Sequence, residues 1–417
     1  MKQVQVIVVG AGAAGIFAAW QAGEMGASVL LIEKTVRVGT KILVSGGGKC
    51  NITHGGPLEN VLKAFRKEES IFLRPAMYRF TNLQMIDLIN ELGIETYERP
   101  DGRIFPVDKT AKDVVEALRQ LINHPNITMR YETAVTGVAT ENGKVAGIEI
   151  GDELIAADAV VLATGGSSFP NSGTTGDGYQ WARQLGHTVV PIQSALAPIY
   201  LREPLADFSG LALRDIVCKC RVNTKESSRW RGDLLITHHG LSGPCALALS
   251  HDAARNLNQN SVTIDVDLLP EKNFEEINAH FIELSRKQPH NRIGNWLQDY
   301  APERVIELML ERSAIPSDLK FGPISKQQRL QLVTQMKQFS FGEVRSVPME
   351  KGEVVAGGVS LSEVDPKTMQ SKIVAGLFLC GEILDVAGPV GGYNLQAAWS
   401  TGYVAGQNSA GLFEPMG

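Results

Sequence analysis

Residues 4–33 read VQVIVVGAGAAGIFAAWQAGEMGASVLLIE, and the order of features in this stretch decides the fold. Val4–Val9 is a short apolar run with the β-branched content of a strand buried on both faces. Gly10-Ala11-Gly12-Ala13-Ala14-Gly15 follows at once, Ile16–Met25 reads as a helix, and Gly26 ends it. A second apolar strand, Ser28–Ile32, stops at Glu33. Strand, G-x-G-x-x-G, helix, strand and acid, in that order, bind a dinucleotide. Gly10 permits the tight turn, Gly12 lets backbone approach a pyrophosphate, and Gly15 lets the helix lie against the sheet. The free N–H groups of the first helical turn, at Ala13 and Ala14, favour phosphate, and Glu33 can accept hydrogen bonds from ribose hydroxyls. Gly23, inside the helix, reads as an ordinary interior position where substitution changes propensity or packing.

Downstream, VGTKILVSGGGKCNIT (38–53) brings three consecutive glycines among polar groups. Ser45, Gly46, Gly47 and Asn51 are expected to meet a cofactor there, because glycine lets backbone come close to a flat or phosphorylated ligand. Asn82–Leu92 and Thr110–Ile122 have helical periodicity. From Asn126 the period shortens to two, and Ile127–Tyr131, Ala134–Ala139, Val145–Ile150 and Glu153–Ala157 read as a four-stranded meander turning at Asn142-Gly143. Val160–Gly166 then returns to a buried parallel strand ending in glycines. That sequence of parts resembles flavoproteins of the glutathione reductase type, whose FAD domain is built this way.

Beyond Pro191 the composition shifts. Residues 191–269 carry strand-like runs, and residues 270–347 are charged and helical, with amphipathic stretches such as Asn273–Lys287 and Arg304–Arg312. The dinucleotide pattern resumes with a strand ending at Gly381-Glu382, a glycine-rich turn and a final helix over Leu395–Ala405. The expected organisation is a discontinuous FAD domain (1–190 and 348–417), an inserted β domain (191–269) and a helical subdomain (270–347).

At 417 residues the chain is too long for one core. A formal charge of −5 argues against a nucleic-acid surface and leaves room for no more than a local basic patch. No apolar run reaches membrane-spanning length. Met1-Lys2-Gln3 leads directly into the first strand, so no signal peptide and a cytoplasmic location are expected. Five scattered cysteines without a C-x-x-C point to reduced thiols, and no metal site is expected.

Five segments together carry a narrower resemblance: SGGGKCNIT (45–53), GRIFP (102–106), ATGGSSFPNSGTTGDGY (163–179), THHGLSGP (237–244) and GEILDVAGPVGGYNLQAAWSTGYVAG (381–406). In that combination and order the chain resembles the BaiN-like (YhiN-like) NAD(P)/FAD-dependent oxidoreductases, some of them called the aminoacetone oxidase family. One departure is Val355, where relatives often carry Thr. The resemblance implies an α/β fold: a Rossmann-type FAD-binding domain carrying an inserted β-barrel-like domain and a helical subdomain. It also implies a cofactor set extending beyond the fingerprint. Lys34 and Lys41 join Glu33, and Ala134 and Val135 become adenine neighbours. Ala163, Thr164 and Gly165 end the third parallel strand. Gly381 and Glu382 are assigned to the ribityl chain, and Gly391, Gly392, Tyr393, Asn394 and Leu395 to the flavin's pyrimidine edge.

The resulting expectation is an FAD-dependent oxidoreductase acting on a small organic substrate by hydride transfer at flavin N5. NADH or NADPH would be a transient reductant docking without a Rossmann domain of its own. Three alternatives stand beside it: an oxygen-dependent amine oxidase, an FAD-dependent RNA-modifying protein and a non-catalytic flavin-binding protein. No nucleic-acid partner and no membrane are expected. His238, in a Thr-His-His-Gly run, is a candidate proton donor or acceptor, and Cys50, beside the glycines, a candidate nucleophile.

Overall fold

A computed structural model describes residues 4–168, 170–203 and 205–411. The Met1–Gln3 segment, on which the expectation of no signal peptide rests, lies outside them. The chain forms two compact units, Met1–Ile192 with Glu353–Gly417, and Gln193–Gly352. No helix among the described residues is long and apolar enough to cross a membrane.

The discontinuous unit is built on five parallel strands in the spatial order Leu377–Leu379, Ala159–Leu162, Val6–Val9, Val29–Ile32, Ile127–Arg130. Four of them are buried at every residue, which is why their sequences are unbroken apolar runs instead of alternating ones. The chain starts in the middle of this sheet, builds two strands to one side and only then returns to the other. The reversal falls between Val6–Val9 and Ala159–Leu162, and a crevice at such a point, outside the carboxyl ends of the strands, is where α/β sheets hold ligands.

Ile127–Arg130, expected as the first strand of the meander, is the outer parallel strand of this sheet, paired with Val29–Ile32. The antiparallel meander has three strands, Gly137–Glu141, Lys144–Ile150 and Glu153–Ala156. The fingerprint helix, Ala13–Glu24, lies under the last helix, Tyr393–Ala410. Two small residues one turn apart set that approach. A Cβ on Gly402 would stand 2.2 Å from the Ala14 carbonyl oxygen, and one on Gly406 would stand 2.3 Å from that of Ala18. Gly23 is less tightly held, with the Ile127 side chain 2.9 Å from the place of its Cβ, so of propensity and packing it is packing that its substitution would disturb.

The second unit is a closed, antiparallel six-stranded barrel. Its strands run in the order Ile199–Leu201, Gly240–Ser242, Lys225–Thr237, Ala212–Val222, Val262–Asp267, Phe339–Ser346. The last of these corrects the helical reading of 270–347. Phe339 and Phe341 are buried while Ser340 is not, a period of two that closes the barrel between Ile199–Leu201 and Val262–Asp267. Helices Phe274–Lys287, Glu303–Arg312 and Lys326–Lys337 share one hydrophobic core with the barrel, through Phe281, Met309 and Leu332 among others.

Candidate flavin site

Two of the three fingerprint glycines are required by the protein's own backbone. A Cβ on Gly15 would lie 1.7 Å from the Gly10 carbonyl oxygen, and one on Gly10 would lie 2.5 Å from that of Ala163, with φ at +99° besides. Gly12 is different. Its φ of −79° suits any residue, and nothing lies within 4 Å of where its Cβ would be. Gly12 is also the N-cap of the fingerprint helix and offers no side-chain cap. The first-turn N–H groups of Ala13, Ala14 and Gly15 thus face an open cradle at the positive end of the helix, which fits a pyrophosphate.

Glu33 is held in place by backbone donors: Ala11 N–H gives 2.8 Å to Oε2, and Thr35 N–H gives 2.8 Å to Oε1. Each oxygen keeps a lone pair for a ribose hydroxyl. The Glu33 carbonyl accepts from Thr133 N–H at 3.1 Å, which brings the Ala134-Val135 segment beside it. Lys34 reaches across to Thr175 at 2.6 Å and Asp177 at 2.8 Å, tying the second strand to the loop after the fourth.

Ala163, Thr164 and Gly165 follow strand Ala159–Leu162 at the switch point, with Gly165 at φ +71°. The Thr164 hydroxyl is turned towards Gly178, where a Cβ would come within 2.1 Å. It is buried and without a hydrogen-bond partner among the described residues. Gly381 takes φ +76°, and Ala14 stands 2.8 Å from the place of its Cβ. The Glu382 carboxylate, assigned to a ribityl chain, is engaged by the protein. Oε1 accepts from Val355 N–H at 3.0 Å and Oε2 from Lys41 at 2.5 Å, while Lys41 also donates to Ser168 at 3.2 Å. Only the backbone N–H of Val355 enters this contact, so a hydroxyl at that position is not needed for it.

Close approach by a ligand is the expected use of Gly391 and Gly392, yet a Cβ on Gly392 would stand 2.4 Å from the Thr53 carbonyl oxygen, and one on Gly391 2.6 Å from the Tyr393 ring. Packing within the protein accounts for both. With its amide oriented to satisfy its neighbours, Asn51 accepts from Gly392 N–H at 2.8 Å and donates to the Thr53 and Ile104 carbonyls. Asn394 does not cap the helix. Its amide exchanges two 2.8 Å hydrogen bonds with the backbone of Gly388, closing the loop. The first-turn N–H groups of Tyr393, Asn394 and Leu395 lack intrahelical acceptors, as at any helix start.

His54 was not singled out by the sequence. Its ring stacks on Tyr393 with centroids 4.6 Å apart and planes at 21°, and Nδ1 lies 3.1 Å from the Gly391 carbonyl oxygen. A carbonyl only accepts, so Nδ1 carries the proton and Nε2 is left an acceptor. The sole sequence signal was its position immediately after the SGGGKCNIT stretch.

In that stretch Ser45 donates to the Ile42 carbonyl at 2.7 Å. Gly46 (φ +56°) and Gly47 (φ +68°) are left-handed and kink the chain within Ser45–Gly48, and Gly47 faces open space. Cys50 is fully buried, and burial pushes its thiol up to about 12. At neutral pH it is a protonated packing group, which removes it as a nucleophile. His238 lies in the other unit, exposed in the turn between Lys225–Thr237 and Gly240–Ser242. Its carbonyl accepts from Leu205 N–H at 3.2 Å.

Residues 4–408 match the family described as HI0933-like protein Rossmann domain. The chain belongs to this family. It is an FAD-dependent oxidoreductase, as the BaiN-like resemblance implied. It is similar to a protein named ribosomal RNA dihydrouridine synthase from Escherichia coli (strain K12), at 31% identity over 98% of each chain. A protein of the same name from Haemophilus influenzae is 33% identical, over 95% of this chain and 96% of that one. The 3-dehydro-bile acid delta(4,6)-reductase of Clostridium scindens is 30% identical, over 97% and 98%. Among solved structures, the fold is shared with the FrdA subunit of E. coli quinol fumarate reductase at a TM-score of 0.52 and 17% identity, covering all of this chain and 71% of that one.

The two relatives named for ribosomal RNA overturn two expectations: a small organic substrate as the main reading, and no nucleic-acid partner. The physical reason is that a net charge of −5 is a sum over 417 residues and does not describe any one face. RNA modification, held as an alternative, takes the place of the main reading.

Proposed function

We propose that this member of the HI0933-like family is an FAD-dependent RNA-modifying enzyme that reduces uridine in ribosomal RNA to dihydrouridine. The observation that carries the reading is the similarity, along nearly the whole chain, to two ribosomal RNA dihydrouridine synthases. The open cradle at Gly12 supports the cofactor half of it.

When bound and reduced, FAD would supply a hydride to one carbon of the uracil C5–C6 double bond, and the other carbon would take a proton. The chain's own part is to hold and exclude. The Ala13–Gly15 N–H groups bind the pyrophosphate, Glu33 accepts from the adenosine ribose, and Ala134-Val135 border the adenine. Lys41 and Glu382, paired with each other, offer a donor and an acceptor to the ribityl hydroxyls. The N-terminus of Tyr393–Ala410 favours negative charge at the pyrimidine edge. NADH or NADPH is the proposed electron source and the cytoplasm the proposed location.

The test uses the purified, FAD-loaded protein under anaerobic conditions with NADH or NADPH and ribosomal RNA lacking dihydrouridine. After nuclease digestion, mass spectrometry should find a nucleoside heavier than uridine by two hydrogens. Flavin bleached by the nicotinamide, with no such nucleoside formed in any ribosomal RNA, would end the proposal.

A further inference from the structure

Tyr200 is the middle residue of the barrel strand Ile199–Leu201, and its neighbours along the chain point inward: Ile199 and Leu201 are buried while Tyr200 is half-exposed. The two strands flanking it fill the space around its ring. From the Gly240–Ser242 side comes His239, with ring centroids 5.4 Å apart. From the Phe339–Ser346 side comes Arg345, whose guanidinium carbon stands 5.9 Å from the Tyr200 centroid. Lys351 adds a third group, its Nζ 5.8 Å from the same centroid. His239, Arg345 and Lys351 are all exposed.

The charge around this ring differs from that on the long barrel strands. There Arg214, Lys219, Arg221, Arg229 and Arg231 each have a carboxylate partner, so those strands present neutralised pairs. Among the described residues neither Arg345 nor Lys351 has one. The nearby acids are Glu343, held by Arg202 at 2.8 Å, and Glu350, next to Lys351 in sequence. Arg345, without a carboxylate partner among the described residues, Lys351, hydrogen-bonded to the Tyr200 hydroxyl beside Glu350, and a histidine thus border a half-exposed aromatic ring.

The geometry points to Tyr200, His239, Arg345 and Lys351 as a contact site for single-stranded RNA, with a base stacked on the aromatic or guanidinium plane and phosphates on the two cations. This rests on the RNA reading of the preceding section and gives it a place on the molecule. An unpaired RNA strand is recognised by planar groups that accept an unstacked base, flanked by cations that follow the backbone. A folded duplex offers no free base face.

The probe is a short fluorescein-labelled single-stranded RNA, titrated with the FAD-loaded full chain over a range of salt. Fluorescence anisotropy reports binding, and absorbance reports FAD content. Tyr200→Ala should weaken binding about tenfold, and Tyr200→Phe should restore it. Replacing both cations, Arg345→Ala with Lys351→Ala, should lower the slope of log affinity against log salt by about 1.4, roughly 0.7 for each phosphate left without its cation. All variants should keep wild-type FAD content and melting behaviour, because these side chains lie on the barrel surface.

Unchanged affinity and slope in the folded double variant would overturn the inference. So would an affinity for poly-glutamate equal to that for RNA, which would mark the patch as a dock for acidic protein. The outcome separates from the functional reading. Patch-dependent RNA binding without dihydrouridine formation sinks the activity and keeps the site. Dihydrouridine formation with an unchanged KM for RNA in the double variant does the reverse.

Discussion

At the scale of the residue, the fingerprint glycines differ in what they serve, and substitution separates them. Gly12→Val should purify folded, about 1 kcal/mol less stable because valine is a poor N-cap although its Cβ meets nothing, and with little FAD. Gly15→Ala should fail to fold, since its Cβ would enter the Gly10 carbonyl. Flavin absorbance and circular dichroism of the two variants check both statements, and normal FAD content in Gly12→Val would refute the cradle. The division of labour, a turn at Gly10, a ligand at Gly12 and packing at Gly15, was legible in the sequence. The atoms that enforce it were not, because they depend on what the folded chain brings opposite each Cα. A second residue-scale case is His187, buried between Glu363 (3.2 Å from Nδ1) and Ser371 (2.8 Å from Nε2). The arrangement has the outline of a serine hydrolase relay, but Ser371 Oγ already accepts from Ile373 and Val374 N–H and so is a turn lock with no free lone pair. Burial holds the His187 pKa below the usual value near 6.5, outweighing Glu363, which raises it. The unfolded chain then takes up the proton first. The contribution to stability is complete above about pH 6.5 and falls as the pH drops towards the folded-state pKa. Melting temperatures measured from neutral to mildly acidic pH should decline, and the decline should be shallower in His187→Gln.

At the scale of the element, the crossing of Ala13–Glu24 by Tyr393–Ala410 depends on Gly402 and Gly406. Adding one methyl at Gly402 should destabilise the discontinuous unit by about 1–3 kcal/mol through overpacking, read as an earlier thermal transition with loss of FAD. A stable, FAD-replete Gly402→Ala would mean that the helices have slack. The last helix was legible as Leu395–Ala405, but its two extra turns and its small-residue seam were not. Alanine, glycine and serine at helical spacing look the same whether they face a neighbour or solvent. The strand Phe339–Ser346 was lost for a related reason: a charged helical stretch precedes it, and its alternation is short. Cysteine behaviour follows from the elements as well. All five thiols are buried, so the native protein should leave a thiol reagent unreacted until denaturant is added.

At the scale of the whole molecule, the unit Gln193–Gly352 has its own closed barrel and its own core, so expressed alone it should fold. A single cooperative melt of the isolated segment is expected, and a featureless one would show that its helices need the rest of the chain. The family and the FAD domain were legible because they rest on local motifs in a fixed order. The likeness to relatives named for ribosomal RNA was not, because a net charge of −5 is a sum over the whole chain and describes no single face. The discontinuity also has a consequence in time. The parallel sheet lacks its outer strand Leu377–Leu379, and the fingerprint helix lacks its cover Tyr393–Ala410, until after Gln193–Gly352 has been synthesised. At roughly 5–20 residues per second, the barrel can be finished while the first strands still wait on the ribosome with an apolar face unclosed. The nascent chain therefore matures from the inside of its sequence outward, and its flavin can be captured only near the end of translation.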